Sequence, residues 1–240
     1  MTLDPRGLDS EPALLEEVEK ATLRMVTQAI HDFRDEASEF FVHEPDAVAD
    51  IGEDITREAM DRMGTSIIPT RLFGRIDYKR ARYVFHPEYL VRQALFIDSK
   101  AEQVAGAGTV TIQTSQTSMS IRQMRSGQPI DEQGTLPRVL QLQGIDYLVT
   151  TVFAKYNYVE SADRSEKSLH SISVTCLPNG ILQEKYNPTP QRTIWLAGRN
   201  APSRGEPFRV RISLPRLKEM ASWRVQSIEL VPEANFSWDE

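Results

Sequence analysis

Apolar residues recur every three or four positions near the start of the chain, at Leu14, Val18, Ala21, Met25, Ala29, Ile30, Phe33, Ala37 and Phe40. That spacing puts them on one face of a long amphipathic helix. Ser10 is placed to cap it, Pro12 suits its first turn, and Glu11, Glu16 and Glu17 favour the positive end of its dipole. Pro45 interrupts the pattern. A second helix is predicted from about Ala47 to Met63, stopped by Gly64. After Pro69 the period falls to two. RLFGRIDYKRARYVF alternates and is rich in aromatic and β-branched residues, as strands are. His86-Pro87 marks a turn. QALFIDSKA reads as a second strand with a short buried apolar core, and AGAGTV as a small, flexible connection. Further strands are predicted at Ser118–Gln123, Tyr147–Tyr158, Ser168–Leu177, Phe208–Leu214 and Val225–Val231, with a short helix starting at Pro215. Helices first, then a mainly β region with an inserted helix, give an α/β or α+β sheet. No linker-like stretch divides the chain. One domain over 1–240 is expected, helical over 1–64 and β-rich over 65–240.

Composition narrows the classes. The 240 residues, 40% of them hydrophobic, suffice for a sizeable core. No apolar run approaches the roughly 18 residues of a membrane helix, and the polar start MTLDPRGLDSEP lacks the apolar stretch of a signal peptide. The single cysteine, Cys176, sits in the apolar run ISVTCL and reads as a small buried residue. These features point to a reducing cytoplasm and no membrane. Trp195 and Trp223 are expected in the core. His31, His43, His86 and His170 are scattered without metal-ligand spacing. No P-loop, nucleophile elbow or dinucleotide turn is present.

The net charge of -6 disguises an uneven distribution. Residues 1–62 carry 17 acids and 6 bases, whereas 185–224 carry 9 bases and 2 acids. Arg71–Arg82 holds 5 bases and one acid. Screening acts over about 10 Å, so local basic segments attract an anion despite the total.

The chemistry centres on Gly74-Arg75-Ile76-Asp77 and Phe96-Ile97-Asp98-Ser99-Lys100. In a strand, residues i and i+2 share a face, so Asp98 and Lys100 project together while Ile97 and Ser99 turn away. An antiparallel neighbour strand returning through His86-Pro87 brings Asp77 toward Asp98. Two carboxylates suit Mg²⁺, a hard cation that prefers oxygen, and an adjacent ammonium offsets charge on a phosphate undergoing hydrolysis. Asp77 and Asp98 are the candidate metal ligands. The spacing is that of the PD-(D/E)xK nuclease signature, with Ile76 where proline would stand.

GEDITREAM (52–60), FGRIDYKRARY (73–83), ALFIDSKAE (94–102), KYNPTP (185–190), SRGEPFRVRI (203–212) and RLKE (216–219) together resemble the type II restriction endonucleases of the SfiI and BglI group, in order and in spacing. The resemblance runs from the first helix to about Trp223. It implies a restriction-endonuclease-like core, a central mixed β-sheet flanked by helices. It also implies Mg²⁺-dependent cutting of double-stranded DNA at an interrupted GC-rich palindrome, leaving 3′ overhangs. Carried over by motif, Asp77, Asp98 and Lys100 are catalytic. Glu53, in GEDIT, is the candidate supporting carboxylate, or else an acid near a helix N-terminus. The stretch Ala101–Gly108 carries no basic residue, unlike the pattern the resemblance leads one to expect.

FRVRISL alternates strictly. Phe208, Val210, Ile212 and Leu214 are expected to face a core, leaving Arg209, Arg211 and Ser213 on the other side. Each arginine can fork onto guanine O6 and N7 in a major groove. Lys79, Arg80 and Arg82, with Arg199 and Arg204, are candidate phosphate contacts, which position without reading sequence. Gln113, Ser115 and Gln116 are candidates for further hydrogen bonds. A palindromic site calls for two-fold symmetry, hence a homodimer or homotetramer. The rival readings are a repair or recombination nuclease that cuts many sequences alike, and a non-catalytic DNA-binding relative, whose mark would be a broken triad.

Overall fold

The computed structural model describes residues 2–43, 48–62, 81–106, 108–162, 166–196, 208–230 and 235–240. Three helices open the fold: α1 (Pro12–Asp32), α2 (Arg34–His43) and α3 (Val48–Asp61). The single long helix expected at the start is therefore two. Phe33, at φ -103° and ψ 7°, interrupts it, and Arg34 Nη1 donates to the His31 carbonyl at 2.9 Å. The break shifts the helical phase. Ala37 and Phe41 are buried on α2, whereas Phe40, expected in the core, is 50% exposed. On α1 the fully buried apolar positions are Leu15, Val18, Leu23 and Val26, whereas Leu14 and Met25 are only partly buried. Ser10 does not cap α1: the N-cap is Glu11, and Ser10 Oγ donates to the Gly7 carbonyl.

Eleven strands follow among the described residues. The central sheet contains β1 (Arg82–His86), β2 (Val91–Gln103), β6 (Val139–Leu142), β7 (Ile145–Glu160), β8 (Lys167–Leu177) and β11 (Val225–Glu229). Its order is β1-β2-β7-β8-β11, with β6 also on β7. Among its described strands only β2 and β7 run parallel. A parallel pair needs a long crossover. Here it carries β3 (Thr109–Gln113), β4 (Ser120–Arg125), β5 (Gln128–Gln133) and β6. β3 pairs with β10 (Arg209–Ser213), which pairs in turn with the short β9 (Trp195–Leu196). AGAGTV is thus partly strand, since β3 begins at Thr109. A short helix α4 (Gln183–Tyr186) precedes β9, and α5 (Leu214–Met220) follows β10.

The sheet divides two apolar layers. On one side α1, α2 and α3 pack on Leu95, Val152, Ala154, Tyr156 and Val174. On the other, Val110, Ile112, Val210 and Ile212 of the small sheet cluster with Phe153 and Leu177. Cys176 and Trp195 are buried as expected, and Trp223 packs against the helical layer. The mixed sheet with N-terminal helices is the α/β architecture that the sequence pattern predicts.

Candidate active site

β2 leaves the core as it approaches the site. Ala94, Leu95 and Phe96 are buried, while Ile97 to Lys100 are partly exposed. β1 contacts it antiparallel, with Arg82 opposite Leu95, and β7 contacts it parallel, with Asp98 opposite Phe153 and Lys100 opposite Lys155. Pleating turns Asp98, Lys100 and Glu102 to one face and Ile97, Ser99 and Ala101 to the helices.

The helix side holds the strand in place. Ser99 Oγ donates to Thr56 Oγ1 at 2.7 Å, and Thr56 Oγ1 shares a 2.8 Å hydrogen bond with the buried Tyr156 hydroxyl. Burial pushes the Tyr156 phenol well above its ordinary pKa. Gly52 lets α3 lie this close: a Cβ there would stand 3.2 Å from the Tyr156 ring and 3.9 Å from Ser99 Cβ. GEDIT therefore serves as a docking element as well as the carrier of Glu53. Sequence reasoning missed this; the signal was a glycine inside a helical pattern, which usually has a packing reason.

On the chemical face, Lys100 Nζ stands 2.6 Å from Asp98 Oδ2. That oxygen is sealed from solvent, yet the contact is not aligned as a hydrogen bond. Its lone pairs keep capacity for a cation. Glu53 and Asp98 line one cleft of about 250 Å³ with Thr56, Arg57 and Arg82. Both carboxylates are hard oxygen donors of the kind Mg²⁺ takes. Among the described residues no group of three or more His, Cys, Asp or Glu gathers to hold a metal. Asp77, Lys79, Arg80, Arg199 and Arg204 lie outside the described residues. Arg82 borders the cleft with its guanidinium bonded to Asp61 and, at 3.2 Å, to the Arg57 carbonyl.

The small sheet carries the expected reader residues. Val210, Ile212 and Leu214 are buried and Phe208 packs against the same core, as the alternation requires. Arg209 lies opposite Gln113 and the exposed Arg211 opposite Thr111, so two strands present one polar row. Ser213 departs from expectation: it is buried and caps α5, accepting from the Arg216 amide. Gln113 and Gln116 close a capping box that shapes the turn after β3. This turn and Asp98 line a second, smaller cleft. Further along the same face, Lys155 is wholly buried, 2.9 Å from Glu102 and donating to the Thr109 carbonyl at 2.6 Å.

A sequence model of the family described as Type II restriction enzyme SfiI matches residues 26–228. The chain belongs to that family. It is 34% identical over 236 residues to Type II restriction enzyme SfiI of Streptomyces fimbriatus, spanning 93% of this chain and 87% of that enzyme. The crystal structure of tetrameric SfiI bound to cognate DNA superimposes with a TM-score of 0.83 at 32% identity, covering 98% of this chain and 91% of that one. The restriction endonuclease BglI, solved bound to its DNA recognition sequence, superimposes with a TM-score of 0.77 at 16% identity, covering 95% and 94%. The BglI likeness shows the fold alone. Membership in the family makes this chain a site-specific endonuclease. Among the described residues no helix is long and apolar enough to cross a membrane.

Proposed function

We propose that the chain is a Mg²⁺-dependent type II restriction endonuclease. It hydrolyses double-stranded DNA in the cytoplasm at an interrupted, GC-rich palindrome and leaves 3′ overhangs. The observation that carries this reading is the pairing of Asp98 with Lys100 on one strand face, at a cleft that Glu53 also lines. Asp98 and Asp77, supported by Glu53, would hold the cation. When bound, the cation polarises the phosphate and eases deprotonation of water. Lys100 orients the attacking water and offsets the charge that develops on phosphate oxygens. Water's oxygen bonds to phosphorus as the bond to the leaving strand breaks.

Arg209 and Arg211 read guanines: they share one face of β10, Arg211 exposed and Arg209 partly so, and paired arginines of this kind suit the edges of G·C pairs in a major groove. Lys79, Arg80 and Arg82, with Arg199 and Arg204, hold phosphates. The protein works as one domain per subunit, in a homodimer or a homotetramer. Its similarity to a tetrameric enzyme bound to DNA supports this assembly.

The test is digestion of a long, sequenced DNA with Mg²⁺, mapping every fragment end, with Asp98→Ala alongside. The expected result is discrete ends sharing one interrupted GC-containing palindrome, absent with Asp98→Ala. Scattered ends would instead favour a nuclease without sequence preference.

A further inference from the structure

Lys155 is an unusual residue for a strand interior. Its side chain has no solvent exposure, although a lysine keeps its charge inside a protein only against a partner. Its two named contacts belong to different elements: Glu102 on β2 at 2.9 Å, and the Thr109 carbonyl at the start of β3 at 2.6 Å. Glu102 lies two residues beyond Lys100 on the same face of one strand. Thr109 pairs with Ser213 of β10, the strand that carries Arg209 and Arg211. At its other end β3 runs into the Gln113–Gln116 turn, which shares a cleft with Asp98. The reading sheet therefore meets the catalytic strand at both ends of β3.

We propose that Lys155 is a positioning residue that ties the DNA-reading sheet to the catalytic strand, so that efficient cleavage depends on correct reading. The proposal rests on the nuclease reading above. When Arg209 and Arg211 engage their bases, the placement of β10 and β3 is set, and with it the Thr109 carbonyl. Lys155 follows that carbonyl and holds Glu102. Glu102 in turn shares a rigid strand with Asp98 and Lys100. An apolar side chain of similar volume would fill the same space. What it would lack is the hydrogen bond to Thr109 and the ion pair with Glu102.

The experiment compares wild type, Lys155→Met and Glu102→Gln in single-turnover cleavage of two duplexes. One carries the site found by fragment mapping, and the other carries a single altered base pair within a half-site. Binding of both duplexes with Ca²⁺ in place of Mg²⁺ is followed in parallel. Coupling between sites typically amounts to about 5- to 150-fold. The expected result is that Lys155→Met slows the correct duplex far more than the altered one. The ratio of the two rates then falls by about fivefold or more, with binding changed less than about threefold. Glu102→Gln lowers the ratio in the same direction. A ratio that falls by less than about fivefold with Lys155→Met overturns the proposal, because a merely structural defect slows both duplexes alike. If Lys155→Met does not fold, as judged by circular dichroism, Glu102→Gln decides: a lowered ratio supports the proposal and an unchanged one overturns it. Scattered ends in the fragment mapping, or cutting by Asp98→Ala, remove the sequence reading or the role of Asp98 on which the proposal rests, and the coupling with it.

Discussion

Glu19 and Arg224, 205 residues apart in sequence, meet inside the protein with Oε2 2.6 Å from Nη2 and no solvent exposure on either side chain. The pair joins α1 to the turn before β11. Glu19 also accepts from the Asn179 amide at 2.8 Å, and the Arg224 guanidinium lies over the rings of Trp223 and Tyr186. Glu16 adds a third charge. Burial opposes its ionisation, but Lys185, Tyr186 and Arg224 outweigh that and hold its carboxyl below the ordinary range. Breaking a buried pair on one side leaves an uncompensated charge, at a cost of about 3–5 kcal/mol. Arg224→Met should destabilise by about that amount in urea unfolding. The double variant Glu19→Met with Arg224→Met should be more stable than Arg224→Met alone. Equal losses in the two would assign the effect to ring packing instead.

Arg211 stands exposed on β10 opposite Thr111, with its aliphatic neighbours turned into the core. Arg211→Ala should relax specificity at one base pair of the half-site, lowering discrimination there by about 1–3 kcal/mol. Cleavage of a panel of single-base variants measures it. Lys79→Ala, a proposed phosphate contact, should weaken binding to all sequences alike and reduce the salt slope by about 1. A sequence-selective loss from Lys79→Ala, or a uniform loss from Arg211→Ala, would reverse the two assignments.

The parts of the fold legible in the sequence are those whose pattern is local. ALFI before Asp98 announces a buried strand, and β2 is one. FRVRISL alternates, and its apolar side is buried. Elements set by tertiary contacts stayed hidden. β3 follows a run of small residues and exists through its pairing with β10. The break at Phe33 has no Gly or Pro to announce it. The Ser126-Gly127 and Gln143-Gly144 hairpins adopt positive φ at both central residues, a geometry two-residue turns favour, but only the glycines hint at it. At the site, Asp98 and Lys100 follow from period two. The hydrogen-bond chain from Ser99 through Thr56 to Tyr156, and the burial of Lys155, need three separate segments brought together.

His86 ends β1 in a buried position, with Nδ1 accepting from the Glu88 and Tyr89 amides at 3.3 and 3.4 Å. Burial lowers its pKa from the ordinary 6.5, against weaker opposition from Glu88 and the Ala21 backbone. The unfolded chain therefore binds a proton more readily, and stability is lost as pH falls below about 6.5. The loss is at most about 1.4 kcal/mol per pH unit. His86→Asn should be less stable at neutral pH yet lose less stability between about pH 7 and about pH 5.5. Denaturant unfolding of both proteins at several pH values measures the difference. Parallel curves would remove His86 as the titrating group.

Glu53 lies in the interior of α3, which begins at Val48. A helix dipole acts mainly within the first turn, so a dipole role accounts poorly for an acid at this position. Its place on the cleft shared with Asp98 fits a supporting carboxylate instead. Glu53→Gln keeps the shape and removes the charge. It should slow cleavage by roughly 10- to 100-fold, with part of the loss recovered at higher Mg²⁺. Asp54→Asn is the control. Asp54 is paired with Arg57 at 2.7 Å and does not line that cleft, so its loss should leave the Mg²⁺ dependence unchanged. If Glu53→Gln cuts at the wild-type rate across the Mg²⁺ titration, the supporting role goes, and the carboxylates at the metal reduce to Asp98 and Asp77.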